Sequence, residues 1–586
     1  MSANARARVA IVAMSCRLPG ASTPTEMQAV LDERRTTPAP IPAERWRESV
    51  FAAELPASTR GPTRAGVLDE VPLDWRKLRL PPVDVERLHR MERAALATMS
   101  DALSEAALDD AALRAKTRII VGATRLGADL RTDAARRIRR FELQGPVSDA
   151  LDARVPHLRA DIDEVLERLF NLAAPPIDPD NLAASASLVA GRVANLFDLQ
   201  GGHVAIDAGM SSGLVAVETG ITALASGQAD AVLVCSLSPL LTPSAILAFA
   251  HRGLLTSQEH ARPFDAAGDG TVLGEGAVAL VLMREDDVGD RPVYAIIEGL
   301  GTADAGIDAT PFSLERAVER AARTALAAAG DADSRVAAIE TRSCGAPETD
   351  RGELAGLQRV YRERGALSVS STVATFGLLP SAAGLVALLK AALAIKRGSF
   401  AAHAHDVAQA SLRDLDVVTA ALPLGKNDRI AVSDAGLGPI VAHCILGAPA
   451  PRARTARALP AAPDDAIAIV GLGARVPGAD DIATLWRNVL ERVDAIGDLP
   501  RSRFDVERLV GTSKDVGAIL RTRLAATLSL PKPDPAELRL PSKILDDVDP
   551  SVLLALDVAR QAMQDAGLAS GDVDGARGRV VLGQLP

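Results

Sequence analysis

Four cysteines in 586 residues stand at positions 16, 235, 344 and 444, far apart and in no paired spacing. That argues against a zinc site or a disulfide framework and fits a reducing cytoplasm. Aromatic residues are also few, at 3%, so the core must rest on Ala, Val, Leu and Ile. A large excess of one charge is missing: 65 basic residues stand against 75 acidic ones, a net −10. No footprint for nucleic acid or an anionic membrane follows from that balance. Long apolar runs are missing too, and no stretch reaches the roughly 20 residues that a membrane span needs. The N-terminal apolar run is broken by Arg17, Pro19 and Gly20, so it reads as a buried strand rather than a secretory leader.

What is present is a globular composition, 48% apolar and 24% charged, in a chain too long for one core. An internal repeat organises it. VAIVAMSCRLPGA at 9–21 returns as IAIVGLGARVPGA at 467–479. PAERW at 42–46 matches PRSRF at 500–504, and LRLPP at 78–82 matches LRLPS at 538–542. ALSEAAL at 102–108 matches AMQDAGL at 562–568, and RIIVG at 118–122 matches RVVLG at 579–583. The offset stays near 460 residues, which marks a duplicated domain start and not a short solenoid repeat. An Ala/Pro/Arg-rich stretch at 447–465 lacks an apolar period and reads as a linker. The organisation expected is a first domain over 1–446, a linker over 447–465 and the opening of a second domain over 466–586. That opening has apolar strand edges and an amphipathic helix at 553–566 that need partners, unless it folds onto the first domain as a cap.

Within the first domain, strand patterns fall at 9–14, 117–121, 203–207, 231–236, 277–282, 293–299, 337–340, 430–433 and 440–446. Helical patterns fall at 92–107, 162–172, 211–225, 313–329, 353–364 and 382–397. The alternation predicts an α/β protein with helix-covered sheets. The polar stretch 125–178 reads as a helical excursion over the surface, a candidate dimer arm.

Residues 204–219, VAIDAGMSSGLVAVET, form the central feature. An apolar strand meets a small-residue turn and then a helix, an elbow that presents one side chain at a helix N-terminus. A cysteine or serine nucleophile belongs at such a tip. Met210 is there instead, and a thioether forms no thiolate and cannot be acylated and released.

Six segments, in order and nearly end to end, carry a family resemblance. They are residues 9–21, 191–217, 262–283 (RPFDAAGDGTVLGEGAVALVLM), 340–354 (ETRSCGAPETDRGEL), 380–394 (PSAAGLVALLKAALA) and 432–446 (VSDAGLGPIVAHCIL). Together they resemble a β-ketoacyl synthase, the condensing domain of fatty acid and polyketide synthases. The resemblance implies a thiolase-like fold, layered αβαβα with two pseudo-repeated halves, followed by an incomplete second copy. It implies a modular synthase as the parent.

The family holds a cysteine in D-T-A-C-S-S-S-L, which stands here as Asp207-Ala208-Gly209-Met210-Ser211-Ser212-Gly213-Leu214. Its first histidine lies in E-A-H-G-T-G-T, which here begins Glu340-Thr341-Arg342-Ser343-Cys344. Its second lies in K-S-N-I-G-H, here Val373-Ala374-Thr375-Phe376-Gly377-Leu378. The resemblance therefore implies that Met210, Arg342 and Leu378 replace the catalytic triad, and Val373 the lysine. Condensation needs a thiolate to carry the acyl chain and donors for the enolate formed on loss of CO₂. Met210 and Leu378 supply neither, and Arg342 does not exchange protons near neutral pH. In the glycine turn, Ala435 stands where the family has a gating phenylalanine, beside Gly436 and Gly438, and Pro439 removes a backbone donor.

Asp207, Ser211, Ser212, Glu340, Cys344, Gly377, Gly436 and Gly438 are expected to shape the pocket. Ser211 and Ser212 read as first-turn helix residues rather than nucleophiles, and Cys344 as a buried thiol unless Arg342 activates it. His403 and His405 have metal-like spacing without a ligand cluster and read as a surface loop; no metal site is expected. His443 reads as structural, and Asp265, Asp269 and Glu275 as loop scaffold.

The function expected is a catalytically silent, chain-length-factor-like or scaffolding component, with no cofactor of its own. Its partners would be an active ketosynthase homologue or a second copy in a dimer. A further partner would be acyl carrier protein with its phosphopantetheine as a tethered ligand, in the cytoplasm, without nucleic acid or membrane. Two alternatives stand beside it. One is an active 3-oxoacyl synthase or acyltransferase that uses Cys344 or a partner domain's site. The other is a decayed or truncated synthase fragment.

Overall fold

The computed structural model describes residues 8–43, 64–124, 185–239, 241–306, 311–330, 335–362, 367–411, 415–436, 438–449, 467–500, 522–530, 548–569 and 578–583, with isolated positions between them. Internal contacts divide the chain into one unit of Met1–Arg131 with Asp178–Ala462 and another of Thr132–Ile177 with Pro463–Leu585. Most of the predicted helix at 162–172, most of the excursion at 125–178 and the body of the linker lie outside the described residues, although 164, 165 and 168 are described as helix.

The first unit opens with β1 (Val9–Arg17), α1 (Pro24–Asp32), α2 (Arg90–Ala106) and β2 (Thr117–Ala123). Then come α3 (Ala186–Phe197), β3 (His203–Ile206), α4 (Ser212–Ala225), β4 (Ala231–Ser238), α5 (Pro243–His251) and β5 (Gly276–Arg284). Its second half comprises β6 (Ala295–Asp304), α6 (Pro311–Ala329), β7 (Val336–Glu340), α7 (Pro347–Tyr361) and β8 (Leu367–Ser370). It ends with α8 (Ala383–Arg397), β9 (Leu415–Val417), β10 (Arg429–Asp434) and β11 (Ile440–Gly447).

Hydrogen bonding runs through eleven strands in the order β9-β8-β7-β10-β11-β6-β1-β5-β4-β2-β3. The order contains one pattern twice. In the first half, β3 and β4 flank β2 in parallel, and β5 and then β1 follow antiparallel. In the second, β8 and β10 flank β7 in parallel, and β11 and then β6 follow antiparallel. The halves join where Val9–Ile11 of β1 pair with Ala295–Ile297 of β6.

Three apolar cores lie between the layers. α2 and α3 cover one half from outside, with Met91, Leu96 and Val193 against Val12, Ile119 and Leu233. α6 and α7 cover the other, with Val318, Ala321 and Leu357 against Ile339, Ala431 and Ile445. α4 and α8 form the middle layer, where Leu214 and Val217 meet Leu385 and Leu388. α8, AGLVALLKAALAIKR, is apolar on nearly every face and buried along most of its length, as a helix between two sheet halves must be. This is the layered αβαβα arrangement with two repeated halves.

The scarcity of aromatics is met by close approach. A Cβ at Gly299 or Gly301 of β6 would lie 2.1 and 2.3 Å from the carbonyls of Ala325 and Ala321 on α6. β8, β9, α1, α3 and α5 escape the pattern reading. β8 is four residues with two serines, LSVS, and α3 carries a glycine and β-branched residues through its middle. α7 begins six residues before the expected start because Pro347 sits in its first turn, where a missing N–H costs nothing.

In the second unit, described residues reproduce the start of the first. Thr23 caps α1, and Asp481 caps α9 (Ile482–Glu491), each accepting from the N–H three residues on. Arg34 and Arg492 follow these helices with φ of 51° and 55°. Met14 N–H donates to Glu105 at 2.9 Å, and Leu472 N–H donates to Asp565 of α10 (Pro550–Asp565) at 2.8 Å. The repeat is therefore structural as well as sequential. The second-copy partners of PAERW and LRLPP lie almost wholly outside the described residues.

Candidate functional site

β3 delivers the chain into the elbow. Gly209, at φ 61°, makes the turn, and α4 starts after Ser211. Asp207 Oδ1 accepts from Gly209 N–H at 2.9 Å and from Thr124 Oγ1 at 2.8 Å. Ser212 Oγ donates to Gly209 O at 2.6 Å and accepts from Ala208 N–H. Ser211 Oγ donates to the carbonyls of Asp434 and Ile440 at 3.2 and 2.9 Å. Both serine hydroxyls thus tie backbone to backbone, and Met210 is left at the tip.

Arg342 leaves the end of β7 and reaches that tip. Its Nη1 lies 2.9 Å from Met210 Sδ, and its Nε donates to Ala435 O at 2.9 Å and faces Asp434 Oδ1 at 3.4 Å. Arg342 and Asp434 are both buried. The guanidinium also explains Gly436, because a Cβ there would lie 0.7 Å from Arg342 Nη2. Gly438 continues the turn at φ 148°, with its Cβ site 4.0 Å from Met210 N; Leu437 lies outside the described residues.

Two carboxylates of α7 hold the loop that carries Arg342. Asp350 accepts from the N–H groups of Cys344 and Gly345 at 2.8 and 2.7 Å. Glu353 accepts from Ser343 Oγ, Ser433 Oγ and the Arg342 N–H. Burial pushes Asp350 and Asp434 up to about 6 and Glu353 up to about 8, against the opposing pull of Arg342. Asp350, Glu353 and Asp434 lie inside quoted segments, but only the fold shows that they surround one cation.

Leu378 follows Gly377, at φ 79°, and its N–H and carbonyl pair with Val272 and Gly274. Its side chain joins Phe249, Cys344 and Val373 in an apolar cluster that Met210 packs against. Cys344 is buried, and burial together with Asp350 raises its thiol pKa well above the usual range, which Arg342 only partly opposes. It therefore stays a neutral thiol. Met210, Arg342 and Leu378 line one cavity with Phe249, Leu254 and Cys344. Its volume is about 10 Å³, room for about one water molecule.

Glu340 sits deeper, where Lys390 of α8 donates to it at 2.7 Å and to Ser370 Oγ at 2.6 Å. This buried pair binds the middle layer to β7 and β8. His443 faces Tyr361 OH at 2.8 Å, and burial lowers its pKa to about 3. The surface-loop reading needs correction at His403, which is buried, with its ring edge-on to Phe264 and its Nδ1 accepting from Ser371 N–H; His405 is half-buried and stacks on His260. Among the described residues no group of three His, Cys, Asp or Glu can hold a metal ion. Asp269 accepts from Thr256 and Ser257, and Glu275 pairs with Arg90.

Residues 6–155, 167–288 and 464–584 match the family described as beta-ketoacyl synthase, N-terminal domain, and residues 294–406 match its C-terminal domain. The chain belongs to the beta-ketoacyl synthase family. The N-terminal domain matches on both sides of the repeat. Over 416 residues the chain is 29% identical to a mycocerosic acid synthase-like polyketide synthase of Mycolicibacterium smegmatis, covering 69% of this chain and 18% of that protein. It is 29% identical over 441 residues to polyketide synthase ThaG of Burkholderia thailandensis, covering 71% and 7%. The chain thus spans less than a fifth of these relatives. Among solved structures, the PfaC keto synthase-chain length factor aligns with a TM-score of 0.76 at 20% identity, over 96% of this chain and 61% of that one. The oxazolomycin ketosynthase domain OzmH KS7 of Streptomyces albus JA3453 aligns at 0.60 with 22% identity, over 76% of each. These ketosynthases share the fold. Among the described residues, no helix of this ketosynthase-like chain is long and apolar enough to cross a membrane.

Proposed function

We propose that the first unit is a catalytically silent ketosynthase-like domain that acts in a synthase by shaping or docking a partner, in the manner of a chain length factor. The observation that carries this reading is the Arg342 guanidinium lying 2.9 Å from the Met210 thioether in a cavity with room for about one water. A condensing site needs a thiolate, an oxyanion cradle and space for an acyl chain. Here the tip is a thioether, the nearby thiol is neutral, and a cation with its counterion fills the space. The partner would be an active ketosynthase homologue or a second copy of this chain. Acyl carrier protein would dock without delivering its phosphopantetheine arm to Met210, because the cavity leaves the arm neither room nor an acceptor.

Incubation with radiolabelled acyl-carrier protein tests the reading. No stable label on the chain, together with co-purification of an active ketosynthase, is the expected outcome. Label that is lost on Cys344→Ala would overturn it in favour of an acyltransferase.

A further inference from the structure

Among the described methionines of the first unit, Met210 alone is within reach of solvent. Met14, Met27, Met91, Met99 and Met283 are at most 2% exposed and lie in the apolar cores. Met210 is only partly buried, at the edge of the cluster that holds Leu378. Its sulfur faces a cation, with Arg342 Nη1 at 2.9 Å. A thioether is a weak acceptor, so this buried N–H donor is poorly matched. Beside both groups lies the cavity of about 10 Å³ that Met210 and Arg342 line together.

One added oxygen answers all three features. A peroxide oxidises a thioether to a sulfoxide, a polar and chiral group. A sulfur lone pair attacks one peroxide oxygen, and the S–O bond forms as the O–O bond breaks. The departing hydroxide takes the proton of the transferred oxygen and leaves as water. Sulfur is oxidised by two electrons and the peroxide is reduced. The guanidinium donates first to the departing oxygen and then to the sulfoxide oxygen, in a charge-assisted bond stronger than the one to sulfur. A cavity with room for about one water also has room for that oxygen atom.

We infer that Met210 is a reversible oxidation site for hydrogen peroxide, with its sulfoxide oxygen seated in the cavity on Arg342 Nη1. The fold fixes the side of the sulfur on which oxygen arrives, so one sulfoxide epimer forms. At a core methionine the new oxygen would be a buried polar group without a partner; at Met210 the partner is in place. The inference stands on these contacts and is independent of catalytic silence in the first unit.

Treatment of the full chain with hydrogen peroxide, followed by peptide mass mapping, tests it. Met563 on α10 is also partly exposed and serves as the reference within the chain. Peroxide is added until Met563 is half oxidised. The digest is then divided between the two methionine sulfoxide reductases, each of which repairs one epimer. Met210 should gain one oxygen, and one of the two enzymes should remove about nine-tenths of it, whereas the Met563 sulfoxide should divide about equally between them. In a Met563→Leu chain, oxidation at Met210 should leave the thermal midpoint unchanged or raise it. Met210 that stays reduced while Met563 oxidises, a near-equal split of epimers at Met210, or a lowered midpoint would each overturn the inference.

Discussion

Arg342 is held by contacts that point three ways, to the thioether of Met210, the carbonyl of Ala435 and the carboxylate of Asp434. Three buried carboxyl groups, Asp350, Glu353 and Asp434, surround this one cation. Removing one partner of a buried pair leaves the rest unscreened and costs about 3–5 kcal/mol. Arg342→Met should lose about that much by urea denaturation, at an unchanged m-value. Pairing it with Asp434→Leu should recover most of the loss. Catalysis does not return through one position. Met210→Cys restores a thiol but leaves Arg342 and Leu378 in place, so no ketoacyl product should appear by mass spectrometry. Measurable product would show that the histidine positions had been misassigned.

The same group gives a pH dependence. Glu353, raised to about 8 in the folded state, binds a proton that the unfolded chain releases near pH 4. Such a group adds stability at low pH and loses it as pH rises through its folded pKa. His403 and His443, both lowered to about 3, oppose this only below about pH 6.5, where the unfolded chain takes up their protons. Between pH 6.5 and 8, stability should therefore fall, by at most about 2 kcal/mol. Glu353→Gln should flatten that fall in a series of thermal melts.

At the scale of elements, the layers depend on backbone approach more than on large side chains. A Cβ at Gly122 of β2 would lie 2.4 Å from Ser212 O, at the first turn of α4. Gly122→Ala forces strand and helix apart and should cost about 3 kcal/mol. Gly253, at φ 66° with nothing near its Cβ site, bears only backbone strain, so Gly253→Ala should cost about 1 kcal/mol. Chemical denaturation of the two variants compares them directly. All nine strands expected from the first unit's sequence form within a few residues of their expected places, since long apolar runs such as AVLVCSLS and GAVALVLMR leave no other use for themselves. Short strands such as LSVS carry too little pattern to be seen. The elbow was legible from spacing alone. The cavity was not, because Met210 and Ala435 lie 132 and 93 residues from Arg342 and meet it only when β7, β10 and the elbow are assembled.

For the whole molecule, one sequence written twice meets two environments. Residues 9–17 lie between β5 and β6, whereas 467–475 hold no ladder among the described residues. Hydrogen exchange should therefore protect the amides of 9–17 by several orders of magnitude more than those of 467–475. Comparable protection at both would show that the second run is already paired.

The amide–carboxylate link from Met14 to Glu105, repeated from Leu472 to Asp565, spans fewer than 100 residues each time. A domain opening that keeps its own internal geometry through so local a tie is a natural crossover point. Recombination that exchanges everything beyond it would hand the incoming segment an opening already shaped to receive it. Chimeras of condensing domains should accordingly tolerate junctions placed just after the second strand better than junctions placed between β1 and α2.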